Sequence, residues 1–255
     1  MTPASGATRR RRWPWILLVI VVLVALLVVA AEAAARAVVP GVVRDKVVSA
    51  LALPADQQLD VDLGGGLVVP QLLAGSLDAL GISGSEVPIG DLTVDADVQL
   101  TGVPIRDGVE GGPGTAQLRL DAADLQALVE AADVPPVLAD AQVALSEPDV
   151  LLSKGFTILG ASVPVEIGLT PAAAGGDLTL TPSRAKLGGA ALSVDQLAAM
   201  LRGEVPAFPI CFADHIPAGL TLTSAEVAGD HLTADIDIAE GLLSDPALQA
   251  MGTCD

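Results

Sequence analysis

Leu92-Thr93-Val94-Asp95-Ala96-Asp97-Val98-Gln99-Leu100-Thr101 alternates without a break between apolar and polar side chains. A period of two places Leu92, Val94, Ala96, Val98 and Leu100 on one face of a strand and the carboxylates and hydroxyls on the other. The run therefore predicts a long antiparallel strand with one wet face. The same alternation recurs over Val163 to Thr170, Asp177 to Thr181 and Leu232 to Ile238, with Gly175-Gly176-Asp177 and Ala228-Gly229-Asp230 read as hairpin turns. Aspartate at the wet positions of these strands accounts for much of the chain's acidity.

Short helices are expected between the strands, in a strand-then-helix unit that recurs. The first copy runs from Gln58-Leu59-Asp60-Val61-Asp62-Leu63 through Gly64-Gly65-Gly66 into a helix over Val69 to Leu80, with Leu72, Leu73, Leu77 and Leu80 on one face. The second runs from Ala116 to Leu120 into a helix capped by Asp121; the third runs from Ala190 to Leu192 into a helix capped by Ser193. Ser193 with Gln196 forms a capping box. Such helices are too short to stand alone and must lie on a sheet. The architecture expected is α+β: a long curved antiparallel sheet with short helices covering its apolar face. The roughly seventy-residue spacing of the later copies suggests an internal duplication.

Ahead of this domain, Arg9 to Arg12 precede Trp13-Pro14-Trp15 and an unbroken apolar run from Ile16 to Ala31. The length suits one transmembrane helix, with the arginines held in the cytoplasm and the tryptophans at an interface. The expected layout is a basic cytoplasmic segment over 1–12, a signal anchor over 13–36, a linker helix over 37–54 broken at Pro40-Gly41, and an extracytoplasmic domain over 55–255. A cleaved signal peptide is the alternative, since small residues around Ala30 to Ala35 offer a cleavage site.

The 255-residue chain has a net charge of −18, and its charge is uneven. Of the 13 basic and 31 acidic residues, seven basic (Arg9 to Arg12, Arg36, Arg44, Lys46) and two acidic ones (Glu32, Asp45) precede Val47. Six against 29 remain, a net of −23. A nucleic-acid partner is excluded by that balance, because phosphate backbones bind positive surfaces. With 51% hydrophobic and only 2% aromatic residues, the core must be aliphatic, suited to packing or to an alkyl guest.

Cys211 and Cys254, the two cysteines, read as one disulfide in an exported domain. In the chain-entropy model a bridge across about forty residues stabilises by roughly 3 to 4 kcal/mol. His215 and His231 lack the spacing to complete a metal site with them. No catalytic motif is present: there is no G-x-S-x-G, P-loop or H-E-x-x-H pattern and no tyrosine, so no catalytic residue, metal or cofactor is assigned and the chain is read as a non-enzyme. The pairs Asp60/Asp62, Asp95/Asp97 and Asp235/Asp237 have carboxylates on one face of a strand, and are read as solvated surface rather than a cation site. Three phenylalanines stand out by their rarity. Phe156, with Ile158 and Leu159, lies in a Gly-bounded apolar segment, and Phe208 and Phe212 flank Pro209-Ile210-Cys211. They are candidates to line the mouth of an apolar cavity, with ordinary core packing as the alternative.

The Arg-rich start, membrane span and strand-helix units resemble the LmeA-like phospholipid-binding proteins of actinobacterial envelopes. So does the tail from Pro209-Ile210-Cys211-Phe212 through Ile216-Pro217-Ala218-Gly219-Leu220 to Val227-Ala228-Gly229-Asp230-His231-Leu232. Ile216-Pro217 stands where that family suggests Leu-Pro. The resemblance implies a tubular lipid-binding type of fold, phospholipid as partner, and a role in envelope lipid or lipoglycan assembly or maintenance; it supplies no catalytic residues. The function expected is a membrane-anchored extracytoplasmic module that holds acyl chains in an apolar groove. A structural scaffold of the envelope, with an unidentified protein partner, is the alternative.

Overall fold

A computed structural model describes residues 13–51, 53–89, 92–106, 109–131, 141–158, 161–201, 207–211, 213 and 216–253. The chain opens with α1 (Trp13–Ala50), a single 38-residue helix, about 57 Å long at 1.5 Å per residue. It continues through Pro40, where a break is expected from sequence. A proline inside a helix costs about 3 kcal/mol, and tertiary packing on both sides of Pro40 offsets it here. Ala35, Val39 and Val43 lie against the buried Leu63, Val68, Leu77 and Leu80 of the domain.

Two antiparallel sheets follow. The first has the order β1 (Asp60–Asp62), β2 (Ser76–Ile89), β3 (Leu92–Pro104), β4 (Gly114–Leu120), β12 (His231–Ile238), β11 (Leu220–Ala228). The second has the order β10 (Phe208–Ile210), β8 (Asp177–Leu187), β7 (Ala161–Ala174), β6 (Asp149–Ile158), β5 (Gln142–Ser146), with β9 (Ala190–Leu192) also paired to β8. The α+β class expected from the alternating runs holds, with the strands divided between two sheets. Each sheet begins as a meander of sequential strands, and two of the hairpins turn on glycine. Gly175 and Gly176, at φ +66° and +92°, join β7 to β8. Residues 229 and 230 join β11 to β12.

The helices are α2 (Val68–Ala74), α3 (Ala122–Ala131), α4 (Val194–Leu201) and the short α5 (Pro246–Gln249). The capping box read at Ser193 is present: Ser193 Oγ accepts the Gln196 N–H at 3.2 Å and Gln196 Oε1 accepts the Ser193 N–H at 2.9 Å. The helix expected over Val69 to Leu80 is corrected. It stops at Gly75, which takes φ +93° and donates its N–H to the Gln71 carbonyl at 2.9 Å. Leu77 and Leu80 then belong to β2, where they are buried.

The sheets meet where β11, the edge of the first, lies against β6, β7 and β8 of the second. One apolar cluster spans the junction, joining Val94, Leu120, Val227 and Leu232 of the first sheet to Val150 of the second, with Leu125 of α3 beside them. The C-terminal segment is fastened back onto the domain. Gly219 and Ala218 donate to the carbonyls of Leu248 and Ala250, and Gly252 donates to that of Ile216.

Candidate functional site

The register of the second sheet separates its two faces by chemistry. On the outer face, Asp149 accepts from Thr170 Oγ1 at 2.6 Å and pairs with Arg184 Nε at 3.1 Å, while Glu166 pairs with Lys186 at 2.7 Å. Gly168 sits under this network, and a Cβ there would lie 2.6 Å from Arg184 Cγ. The side chains of the other face are set by the same pairings. From β6 come Val150, Leu152, Lys154 and Phe156, opposite Leu169, Ile167, Val165 and Val163 of β7. From β8 come Leu187 and Ala185, opposite Val165 and Ile167, and then Leu180 and Leu178 beyond a bulge. Leu192 of β9 and Ile210 of β10 continue it at the edge. Lys154 excepted, all of these are apolar.

This face is incompletely covered. Val150, Leu169 and Ala185 are buried near the junction with the first sheet, but Leu152, Phe156, Val163, Val165, Ile167, Leu178, Leu180 and Leu192 are only half-buried. Leu187 and Ile210 are 40% and 43% exposed. Fully burying one such side chain contributes about 1.5–3 kcal/mol, so an apolar sheet face left half wet forgoes much of its own stabilisation. A contiguous surface of this kind marks a place where another apolar body sits. Concavities on the outer surface differ in kind. One of 450 Å³ is bounded by Gln58, Asp60, Ser83, Asp95, Asp97 and Arg119 and is polar.

The candidate residues read from sequence are placed unevenly. Phe156 lies on the apolar face, half-buried, with Lys154 Nζ 6.0 Å from its ring centre. Ile158 and Phe208 are described through the backbone alone, at the end of β6 and the start of β10. Leu159 and Phe212 lie outside the described residues. Phe156 is opposite Val163 on β7; the Phe208 backbone is opposite Leu180, itself opposite Pro171. Eight positions along β7 separate the two levels, about 26 Å at 3.3 Å per residue, so these two positions are not brought together. Cys211 is not a free thiol, and its expected partner Cys254 lies outside the described residues.

Members of two of the aspartate pairs are engaged in hydrogen bonds. Asp95 Oδ1 accepts the Glu86 N–H at 2.9 Å and Asp235 Oδ1 accepts from Gln117 Nε2 at 2.9 Å. Among the described residues no cluster of His, Cys, Asp or Glu could hold a metal. The glycine run 64–66 is a turn that presents carbonyls: those of Gly64 and Gly66 accept from Arg36.

That contact belongs to a join that sequence reading missed. Glu32 of α1 accepts the N–H groups of Val68 and Val69 at 2.9 and 3.1 Å, and Arg36 Nε pairs with Glu32 at 2.9 Å. Farther along, Arg44 donates to the Gln57 carbonyl at 2.6 Å. The only legible signal was that these charges interrupt a long apolar helix. The part of α1 before Glu32 stands exposed, and by length and composition the helix can cross a membrane, with a mean hydropathy of 3.2 in its most apolar window.

A family model described as LmeA-like phospholipid-binding matches residues 30–236, which include the domain-bound half of α1 and nearly all strands of both sheets. No curated protein and no solved structure matches the chain.

Proposed function

We propose a function from one premise: this chain belongs to the LmeA-like phospholipid-binding family. The protein binds a phospholipid by laying its acyl chains along the half-exposed apolar face of β6 to β10, while the amino-terminal apolar helix holds the domain at a membrane. The observation that carries this reading is the wet aliphatic face itself, in a chain whose family binds phospholipid. Each methylene covered there contributes about 0.8 kcal/mol, so acyl chains supply affinity without a deep polar pocket. Phe156 flanks the bound chains at one level of the sheet, and the Phe208 segment lies at another.

The four arginines before Trp13 support a cytoplasmic start, and with it an extracytoplasmic domain serving envelope lipid or lipoglycan assembly. In this reading α1 is an uncleaved anchor, since Glu32 and Arg36 already hold the domain and a cut at Ala33 to Ala35 would separate them. The protein acts by binding and carries out no reaction.

Native mass spectrometry of the full chain, extracted in a mild non-ionic detergent from a phospholipid-rich host, tests the proposal. An added mass equal to an intact phospholipid is expected. A bare mass that persists after incubation with phospholipid would sink it and favour a scaffold role.

A further inference from the structure

We propose that α2 and the neighbouring Ile105 form a second membrane contact, through which Leu67, Leu73 and Ile105 rest in the head-group layer of the bilayer that α1 crosses. This rests on the reading of α1 as an uncleaved anchor and adds the surface that sets the domain against the membrane.

Depth along α1 carries the argument. Trp13 to Ala31 spans about 28 Å at 1.5 Å per residue, close to the roughly 30 Å of a hydrocarbon core, so Glu32, the first charged residue after that run, stands at the boundary with water. Glu32 accepts the N–H groups of Val68 and Val69 at 2.9 and 3.1 Å, which brings the start of α2 to the same level. The turn before α2 is held one helical turn farther out, where the carbonyls of Gly64 and Gly66 accept from Arg36. Along the axis of α2, Leu73 lies only about 8 Å from Val68, and the polar layer on each side of the core is roughly 5–8 Å thick.

The surface of α2 has the chemistry for that layer. Val68 and Gln71 are buried against the domain, while Leu67, Pro70 and Leu73, spaced by three, are exposed together on the opposite side, Leu67 and Leu73 at 58% and 72%. A helix that lies in water turns polar side chains outward, whereas every outward position of α2 is apolar. Ile105 is exposed beside it, fixed by its N–H to the Gly75 carbonyl at 2.9 Å, and Arg106 donates to the Leu72 carbonyl at 3.4 Å. From Leu63 to Leu77 no side chain is charged, the longest such stretch after α1, in a domain with a net charge of −23. The flanking carboxylates stay with the glycine turn: Asp62 accepts the Gly64 N–H at 2.7 Å, and Asp78 Oδ2 lies 3.5 Å from where a Cβ on Gly66 would stand. An anionic membrane repels the acidic strand faces but not this patch, so it is the part of the domain suited to meet lipid.

The test uses the full chain in palmitoyl-oleoyl phosphatidylcholine liposomes, with a nitrobenzoxadiazole probe on one introduced cysteine, labelled without reduction, and phosphatidylcholine carrying a doxyl quencher near its head group. Probes are placed by Leu23→Cys within the span, by Val42→Cys on α1 about 15 Å beyond Glu32, and by Ala74→Cys at the exposed end of α2. Emission is expected to be quenched at positions 23 and 74 and not at 42. Adding Leu67→Ser and Leu73→Ser should shift the balance of docked to free α2 by at least about tenfold and restore most of the emission at position 74, with quenching at position 23 unchanged. An unquenched probe at 74 beside a quenched one at 23 overturns the inference and leaves the anchor reading standing. Quenching at 74 that the two serines leave undiminished, or that position 42 equals, overturns it as well. An unquenched probe at 23 removes the anchor reading, and the inference with it.

Discussion

Asp121 closes the first turn of α3 with one oxygen, Oδ1, which accepts the N–H groups of Ala123 and Asp124 at 2.8 Å each, while Asp124 Oδ2 accepts the Asp121 N–H at 3.2 Å. The Asp124 N–H is the largest cause holding the Asp121 carboxyl below the ordinary carboxylate value; Ala123, the Asp124 side chain and His231 add to it, and partial loss of solvent opposes them. Asp121→Ala should therefore cost about 1 kcal/mol in urea unfolding, and Asp121→Asn, which still caps, much less. The pH dependence has a definite sign. Because the folded value is depressed, the ionised form contributes stability above the unfolded value near 3.9, and that contribution fades as pH falls through the folded value. Melting curves from pH 5 to 2 should steepen the loss for wild type relative to Asp121→Asn; parallel curves would refute the assignment. Gly75 is a second residue with a clear outcome. At φ +93°, with Arg106 Cδ 3.1 Å from where a Cβ would stand, Gly75→Ala should destabilise by about 1–2 kcal/mol, read as a lower urea midpoint. Caps are legible in sequence because they are local chemistry.

At the scale of elements, α1 has two halves with different surroundings. From Glu32 onward it is a structural part of the domain, bonded through Glu32, Arg36 and Arg44 and packed through Ala35, Val39 and Val43. The double substitution Glu32→Ala/Arg36→Ala should loosen this join, and trypsin should then cut after Arg44 and Lys46 faster than in the wild type. Unchanged cleavage would mean that the apolar contacts alone hold the helix. The tail is the other joined element. Its hydrogen bonds to Ile216, Ala218 and Gly219 carry residue 252 to within reach of the segment that follows Cys211; a Cβ on Gly252 would lie 2.5 Å from the Ala213 carbonyl oxygen. That supports the Cys211 to Cys254 bridge, and two alkylated thiols are expected after reduction and none before it. The long strands were legible from their alternation. The end of α2 was not, since the leucines of 72, 73, 77 and 80 fit a helical stripe, and only Gly75 shows that the last two belong to a strand.

For the whole molecule, the relevant property is an apolar sheet face that stays half-exposed among the described residues. Leu187 and Ile210 are exposed enough that the double substitution to Ser should shift the melting temperature little. It should nonetheless weaken lipid uptake at least about tenfold, because it removes methylenes that the acyl chains would cover. Undiminished uptake would move the lipid to another surface. Composition and periodicity alone determined the amino-terminal apolar helix, the α+β class, the acidity of the wet strand faces, the caps and the turns, because each is set by residues near one another in the chain. Only the tertiary structure decided that the strands divide into two sheets, that Phe156 and the Phe208 segment stand at levels eight positions apart along β7, and that Glu32 and Arg36 fasten the amino-terminal helix to the domain. Those features depend on pairings between residues far apart in sequence, and the register that fixes them is the outcome of packing.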